Sequence, residues 1–126
     1  MKLTKNFSLA EFNSKDGAVA DQLVIKNLAI LAEQLEALRD YLGKPIQVTS
    51  GYRSKEHNAK IGGAKNSTHV NGMAADIKVK GLSPFEVYNA IEKLIADGKM
   101  KQGGLGLYRS WVHYDFRGAK VRWGAK

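Results

Sequence analysis

The sequence predicts an α+β fold, a mostly antiparallel sheet with helices packed on it, and three observations lead there. A leucine stripe recurs at helical spacing over residues 20–42. Short stretches at 46–50, 74–79 and 111–116 alternate apolar and polar residues as half-buried strands do. The elements run helix, strand, long loop, strand, helix and then a meander, an order that segregates helices from strands.

Taken in order, Ser8-Leu9-Ala10-Glu11 has the spacing of a capping box and opens a short helix, which Lys15-Asp16-Gly17 breaks. In the long helix that follows, Val24, Leu28, Leu31, Leu35, Leu38 and Leu42 are spaced by four and three, so they share one face. That stripe is too short for a coiled-coil seam and is assigned to packing on a sheet. Gly43 stops the helix and Pro45 follows. Ile46-Gln47-Val48-Thr49-Ser50 reads as a strand. Residues 51–72 are rich in Gly, Asn, Ser and Lys and form an irregular excursion with a short helix at 55–60; so long a loop in a small domain is usually functional. The strand at 74–79 puts Ala75, Ile77 and Val79 on one face. Ser83-Pro84-Phe85-Glu86 combines an N-cap, a first-turn proline and a capping-box acid. The helix it opens runs to about Asp97, buries Val87, Ala90, Ile91, Leu94 and Ile95, and ends at Gly98. Strands at 104–108, 111–116 and 120–123 complete the chain.

The 126 residues fit one domain over 1–126, large enough to bury a core without staples. Cysteine is absent, which excludes disulfides, thiolate metal sites and cysteine nucleophiles. Any metal must then be held by His, Asp or Glu, and there are three histidines. The net charge of +8 and pI near 9.7 favour an anionic partner, such as an acidic wall polymer. A nucleic-acid partner is not expected, because the basic residues form no stripe with stacking aromatics. No segment reaches the roughly 20 apolar residues of a membrane span. The N-terminus shows no export signal, so the protein is expected in the cytoplasm, and nothing in the sequence demands more than a monomer.

In the strand at 111–116, Val112, Tyr114 and Phe116 share an apolar face, and Trp111, His113 and Asp115 share the other. That second face reads equally as solvent-exposed. In the stretch Ser67 to Asp76, Asn71-Gly72 is a tight-turn signal. A two-residue hairpin there sets His69 opposite Ala74 and diagonal to Asp76, within reach of one ion. The plainer alternative has Asp76 or His69 bonded to loop amides. Two histidines and a carboxylate are a common ligand set for catalytic zinc and leave a coordination position open. Zinc lowers the pKa of a water there and polarises a carbonyl, and Asp115 is placed to take the proton. Spacing alone does not make the two strands neighbours. His57 reads as a surface or helix-packing histidine. Arg53, at a strand end, either holds a substrate carboxylate or ties the loop down.

Ser50-Gly51-Tyr52-Arg53-Ser54, His57-Asn58, Gly62-Gly63, the block Asn66 to Asp76, Gly103-Gly104-Leu105-Gly106-Leu107-Tyr108 and Val112 to Gly118 together resemble the D-alanyl-D-alanine carboxypeptidase family of zinc metallopeptidases. The most specific part is S-x-H-x-x-G-x-A-x-D at Ser67, His69, Gly72, Ala74 and Asp76, with the His-x-Asp strand as a second anchor. The resemblance implies the α+β fold shared by hedgehog-type and D-Ala-D-Ala peptidase domains, with one zinc ion on His69, Asp76 and His113. It implies hydrolysis of peptide bonds in peptidoglycan stem or cross-link peptides, with Arg53 orienting substrate or stabilising the oxyanion, Ser67 touching substrate or the ligand shell, and Tyr52 touching substrate. Many relatives place the general-base carboxylate three residues before the last histidine, where Ser110 stands here. The carboxylate is instead Asp115, as base or as the group that orients His113. The N-terminal pattern resembles phage and prophage endolysins, which wait in the cytoplasm until a membrane pore releases them to the wall. A catalytically silent zinc-binding module of the same fold is the competing reading.

Overall fold

The computed structural model describes residues 1–124. A 3₁₀ turn at Leu9–Phe12 is followed by α1 (Gln22–Leu42), β1 (Gln47–Ser50), α2 (Lys55–Lys60), β2 (Ala74–Lys78), α3 (Pro84–Ala96), β3 (Gly104–Leu107), β4 (Val112–Asp115) and β5 (Val121–Trp123). The strands form one sheet in the order β1-β2-β4-β3-β5, antiparallel except for β5, which lies parallel to β3. The expected α+β class and every expected element are present, with ends shifted by a residue or two.

Local chemistry sets the helix ends. The Asp21 carboxylate accepts from Val24 N and caps α1, and Gly43 closes it in a left-handed turn (φ 66°). Ser83 and Glu86 form the reciprocal capping box of α3. On α1 the stripe Val24, Leu28, Leu31, Leu35 and Leu38 is buried, and α3 buries Val87, Ala90, Ile91 and Leu94. Both helices cover the sheet face made by Ala75, Ile77, Leu105, Val112 and Tyr114. Leu42 and Ile95, expected in the core, are only half-buried at its margin.

On the other face of the sheet, one row of residues runs through all five strands. Ser50 pairs with Asp76, Asp76 with His113, His113 with Gly106, and Gly106 with Trp123, across all five strands. Directly paired residues point to the same side. A bulge between Val48 and Ser50 brings Ser50 into this row.

The Asn71-Gly72 hairpin expected from sequence does not form. Residues 68–72 make overlapping tight turns instead, with Val70 N donating to Ser67 O, Gly72 N to His69 O and Met73 N to Thr68 O. Packing explains the difference. Gly72 (φ 75°) lies against α1, where a Cβ would stand 2.8 Å from a Val24 methyl, so the chain folds onto the helix rather than pairing with β2.

Candidate metal centre

Asp76 and His113 face each other across the β2–β4 pairing, and His69 reaches them from the turn above. Asp76 Oδ1 lies 3.3 Å from His69 Nε2 and 3.3 Å from His113 Nδ1. The two imidazoles meet edge to face at 5.1 Å. One donor atom from each residue lies within 4.8 Å of the others, and all three residues are buried.

The remaining ring nitrogens fix the tautomers. His69 Nδ1 is 2.8 Å from the Gly51 carbonyl, which can only accept, so Nδ1 carries the proton and Nε2 presents its lone pair. His113 Nε2 is 2.7 Å from the Asp115 carboxylate and donates to it, which frees Nδ1. Both free nitrogens therefore converge on Asp76. Ligand atoms about 2.1 Å from a tetrahedral ion stand about 3.4 Å apart, close to the 3.3 Å spacings here. The donor set, its tautomers and its spacing fit a divalent ion such as zinc. The two lone pairs meet the Asp76 carboxylate with no proton between them, three electron-rich donors that an ion among them would satisfy. Asp76 is thus the anion a cation needs.

Arg53 lines the same cleft. Its guanidinium lies 3.4 Å from Asp76 Oδ2 and also reaches Ser50 Oγ and Asn58 Oδ1. The cleft has a volume of about 400 Å³. Ser67 lies on its wall, with its hydroxyl accepting from His69 N. Tyr52 does not: its side chain lines a separate groove with Val24, Asn27 and Met73. His57 sits on α2, apart from the three converging residues.

Asp115 is fully buried, and six donors saturate it. Oδ2 accepts from His113 Nε2, Thr68 Oγ1 and Arg117 Nη2, and Oδ1 accepts from Gly104 N, Arg117 N and Arg117 Nε. Burial raises its pKa, and the His113 and Arg117 bonds more than reverse this. It touches the ring nitrogen of His113 that points away from Asp76. That geometry departs from the expected proton acceptor and matches a group that orients His113. Among the described residues lining the cleft, Asp76 is the sole carboxylate.

Several participants escaped the sequence reading. Thr68 and Arg117 hold Asp115. Tyr108, Trp111 and Trp123 form a cleft wall, with Trp123 4.9 Å from His113 and lying over Gly106, where a Cβ would collide with its indole. The 111, 113, 115, 117 alternation offered a signal for Arg117; Trp123 had none, because its place depends on β5 joining the sheet in parallel.

The N-terminal segment braces the site from behind. Tyr52 N donates to Phe12 O, and a Cβ on Gly51 would lie 2.8 Å from the Phe12 backbone. Ser54 N donates to Ser14 Oγ, and Ser54 Oγ to Asp16. Hydrogen bonds from Ser54, Ser14 and the Ala18 amide lower the Asp16 pKa to about 2.

The sequence profile of the family described as Peptidase M15 matches residues 5–115. The zinc D-Ala-D-Ala carboxypeptidase of Streptomyces albus G is 38% identical over 78 residues, 57% of this chain and 31% of that protein. The peptidoglycan L,D-endopeptidase MepK of Escherichia coli (strain K12) is 35% identical over 94 residues, 68% of this chain and 48% of MepK. The probable peptidoglycan L,D-endopeptidase MepK of Haemophilus influenzae is 35% identical over 77 residues, 56% of this chain and 38% of that protein. The chain spans about a third to a half of the length of these curated relatives. With a match that runs through His69, Asp76 and His113 and takes in nearly all of the sheet, the chain belongs to the peptidase M15 family.

Proposed function

We propose that this protein is a zinc-dependent peptidase that hydrolyses peptide bonds in peptidoglycan stem or cross-link peptides. The carrying observation is the convergence of His69 Nε2, Asp76 Oδ1 and His113 Nδ1 on the floor of an open cleft. Bound zinc supplies Lewis-acid polarisation of the scissile carbonyl and a water acidified enough to attack it. The chain's own residues do the rest. The Gly51 carbonyl and Asp115 hold the two imidazoles in their metal-binding tautomers. Arg53 faces the cleft with a guanidinium suited to a substrate carboxylate or to charge developing on the carbonyl oxygen. Asp115 is a positioning residue. Hydrolysis joins water's oxygen to the carbonyl carbon, and the amine leaves with a proton. The names of the relatives, a D,D-carboxypeptidase and L,D-endopeptidases, support the substrate class. The +8 charge favours approach to an anionic wall. A role in cell lysis, with the protein held in the cytoplasm until release, belongs to the same reading.

A second reading has one observation in its favour. With Asp115 saturated, the described residues lining the cleft offer no carboxylate beyond Asp76 to take the water's proton. A module that keeps the metal and binds wall peptides without cutting them needs none.

Two measurements decide. Protein purified without chelator is expected to carry close to one zinc per chain, lost in His69→Ala and His113→Ala. Digestion of purified peptidoglycan is expected to release new peptide termini, identified by mass spectrometry. A folded, metal-free wild type sinks both readings. A zinc-loaded protein that releases nothing leaves the binding module.

A further inference from the structure

The turn joining β3 to β4 carries aromatic residues that hydrolysis does not use. Tyr108 and Trp111 stack nearly parallel, with ring centroids 4.7 Å apart and planes 12° from each other. Trp123 Nε1 donates to the Tyr108 hydroxyl at 2.9 Å, and Tyr108 N donates to Trp111 O. These bonds hold the three rings as one wall of the cleft. The wall is not core: Tyr108 is 38% exposed, the two tryptophans are half-buried, and none of the three joins the hydrophobic cluster.

Large apolar rings held against water forgo the gain of burial, and an aromatic patch fixed in place at a cleft marks a binding surface. The occupant has to suit the chemistry on both sides. Stem peptides are built of small and charged residues, with no large apolar side chain to lay on an indole. A pyranose ring presents a flat face of polarised C–H bonds, which meets the negative π face, and a rim of hydroxyls. The wall has a polar neighbour to match: the Arg117 guanidinium lines the same cleft, 5.8 Å from the Trp123 ring centre.

We infer that the Tyr108–Trp111–Trp123 wall is a pyranose-stacking subsite, so that the cleft takes stem peptides still attached to their glycan strand. The identity of the sugar rests on the peptidoglycan reading; the stacking wall does not depend on cleavage. The chain has two tryptophans, both in this wall, so intrinsic fluorescence reports its occupancy directly.

The probe is the peptide-free disaccharide of peptidoglycan, N-acetylglucosaminyl-N-acetylmuramic acid. Wild type is expected to show a saturable change in tryptophan emission. Trp111→Ala, read through Trp123, should bind about tenfold more weakly, the scale of losing one ring-stacking contact. Trp111→Phe should recover most of that binding. In parallel, Trp111→Ala should lower kcat/KM on disaccharide-linked stem peptide about tenfold more than on the same peptide freed of sugar. No saturable change in wild type, or equal losses on the two substrates, overturns the inference. If wild type cleaves neither substrate, the hydrolytic reading falls, and the disaccharide titration alone decides for or against the sugar subsite.

Discussion

Asp115 shows how one buried side chain organises a metal centre without facing the ion. Its two oxygens gather donors from the turn at Thr68, from β3 at Gly104 and from Arg117, and its remaining contact sets the tautomer of His113. Asp115→Asn keeps the shape and removes the charge, and its amide can no longer accept from every donor. We expect zinc affinity to fall about 10–100-fold, the usual effect of losing a ligand's hydrogen-bonding partner, measured by competition with a chelating dye. Unchanged affinity with lost hydrolysis would instead restore Asp115 as the proton acceptor. At this scale the sequence was informative about ligand types and poor about their roles. The alternation of His113 and Asp115 was readable, as was the polar side of β2 at Asp76. Whether a carboxylate beside a histidine ligand faces the ion or backs the ring depends on rotamers and on Arg117, which no spacing rule encodes.

At the scale of elements, the site is a row through the sheet from Ser50 to Trp123. Gly106 is the gap in that row through which Trp123 packs against His113. A β-carbon there would lie 2.3 Å from the indole, so Gly106→Ala must expel the ring while leaving the β3 backbone extended. The expected outcome is a red-shifted tryptophan emission and reduced turnover with circular dichroism in the far ultraviolet preserved; an unaltered emission spectrum would show that the indole had not moved. Helices were legible because capping boxes and apolar periodicity are local signals, and α1 and α3 lie close to where those signals put them. The Asn71-Gly72 turn was not, because α1 competes for it: contact with Val24 and Leu28 draws the segment away from β-pairing. Nor was the parallel β5, since strand neighbours are fixed by long-range register rather than by residue order.

For the molecule as a whole, acid should be the more damaging extreme. Glu36 accepts from Thr4, Asn6 N and Asn6 Nδ2, and Glu92 from Arg122, so each joins distant segments. Burial raises the Glu36 pKa, but hydrogen bonds from Asn6 and Thr4 prevail and leave it below 4.5. Arg122 lowers that of Glu92 from the same value. Asp16 drops from 3.8 to about 2. A carboxyl whose folded pKa is depressed binds more protons when unfolded. Its contribution is complete above the unfolded value and is lost as pH falls through the folded one. Thermal midpoints should therefore hold down to about pH 5 and decline from there towards pH 2. The decline should be shallower in Glu36→Gln, from a lower starting stability. A Glu36→Gln curve parallel to wild type would remove Glu36 from the account.

None of the first sixteen residues lines the metal cleft, yet they are its foundation. Phe12 presses on Gly51, whose carbonyl steers His69, and the Ser14 and Asp16 side chains anchor Ser54 beside Arg53. Removing residues 1–16 would leave every candidate ligand in the polypeptide and still loosen the centre, because the loop carrying Gly51 and Arg53 would lose the wall it leans on.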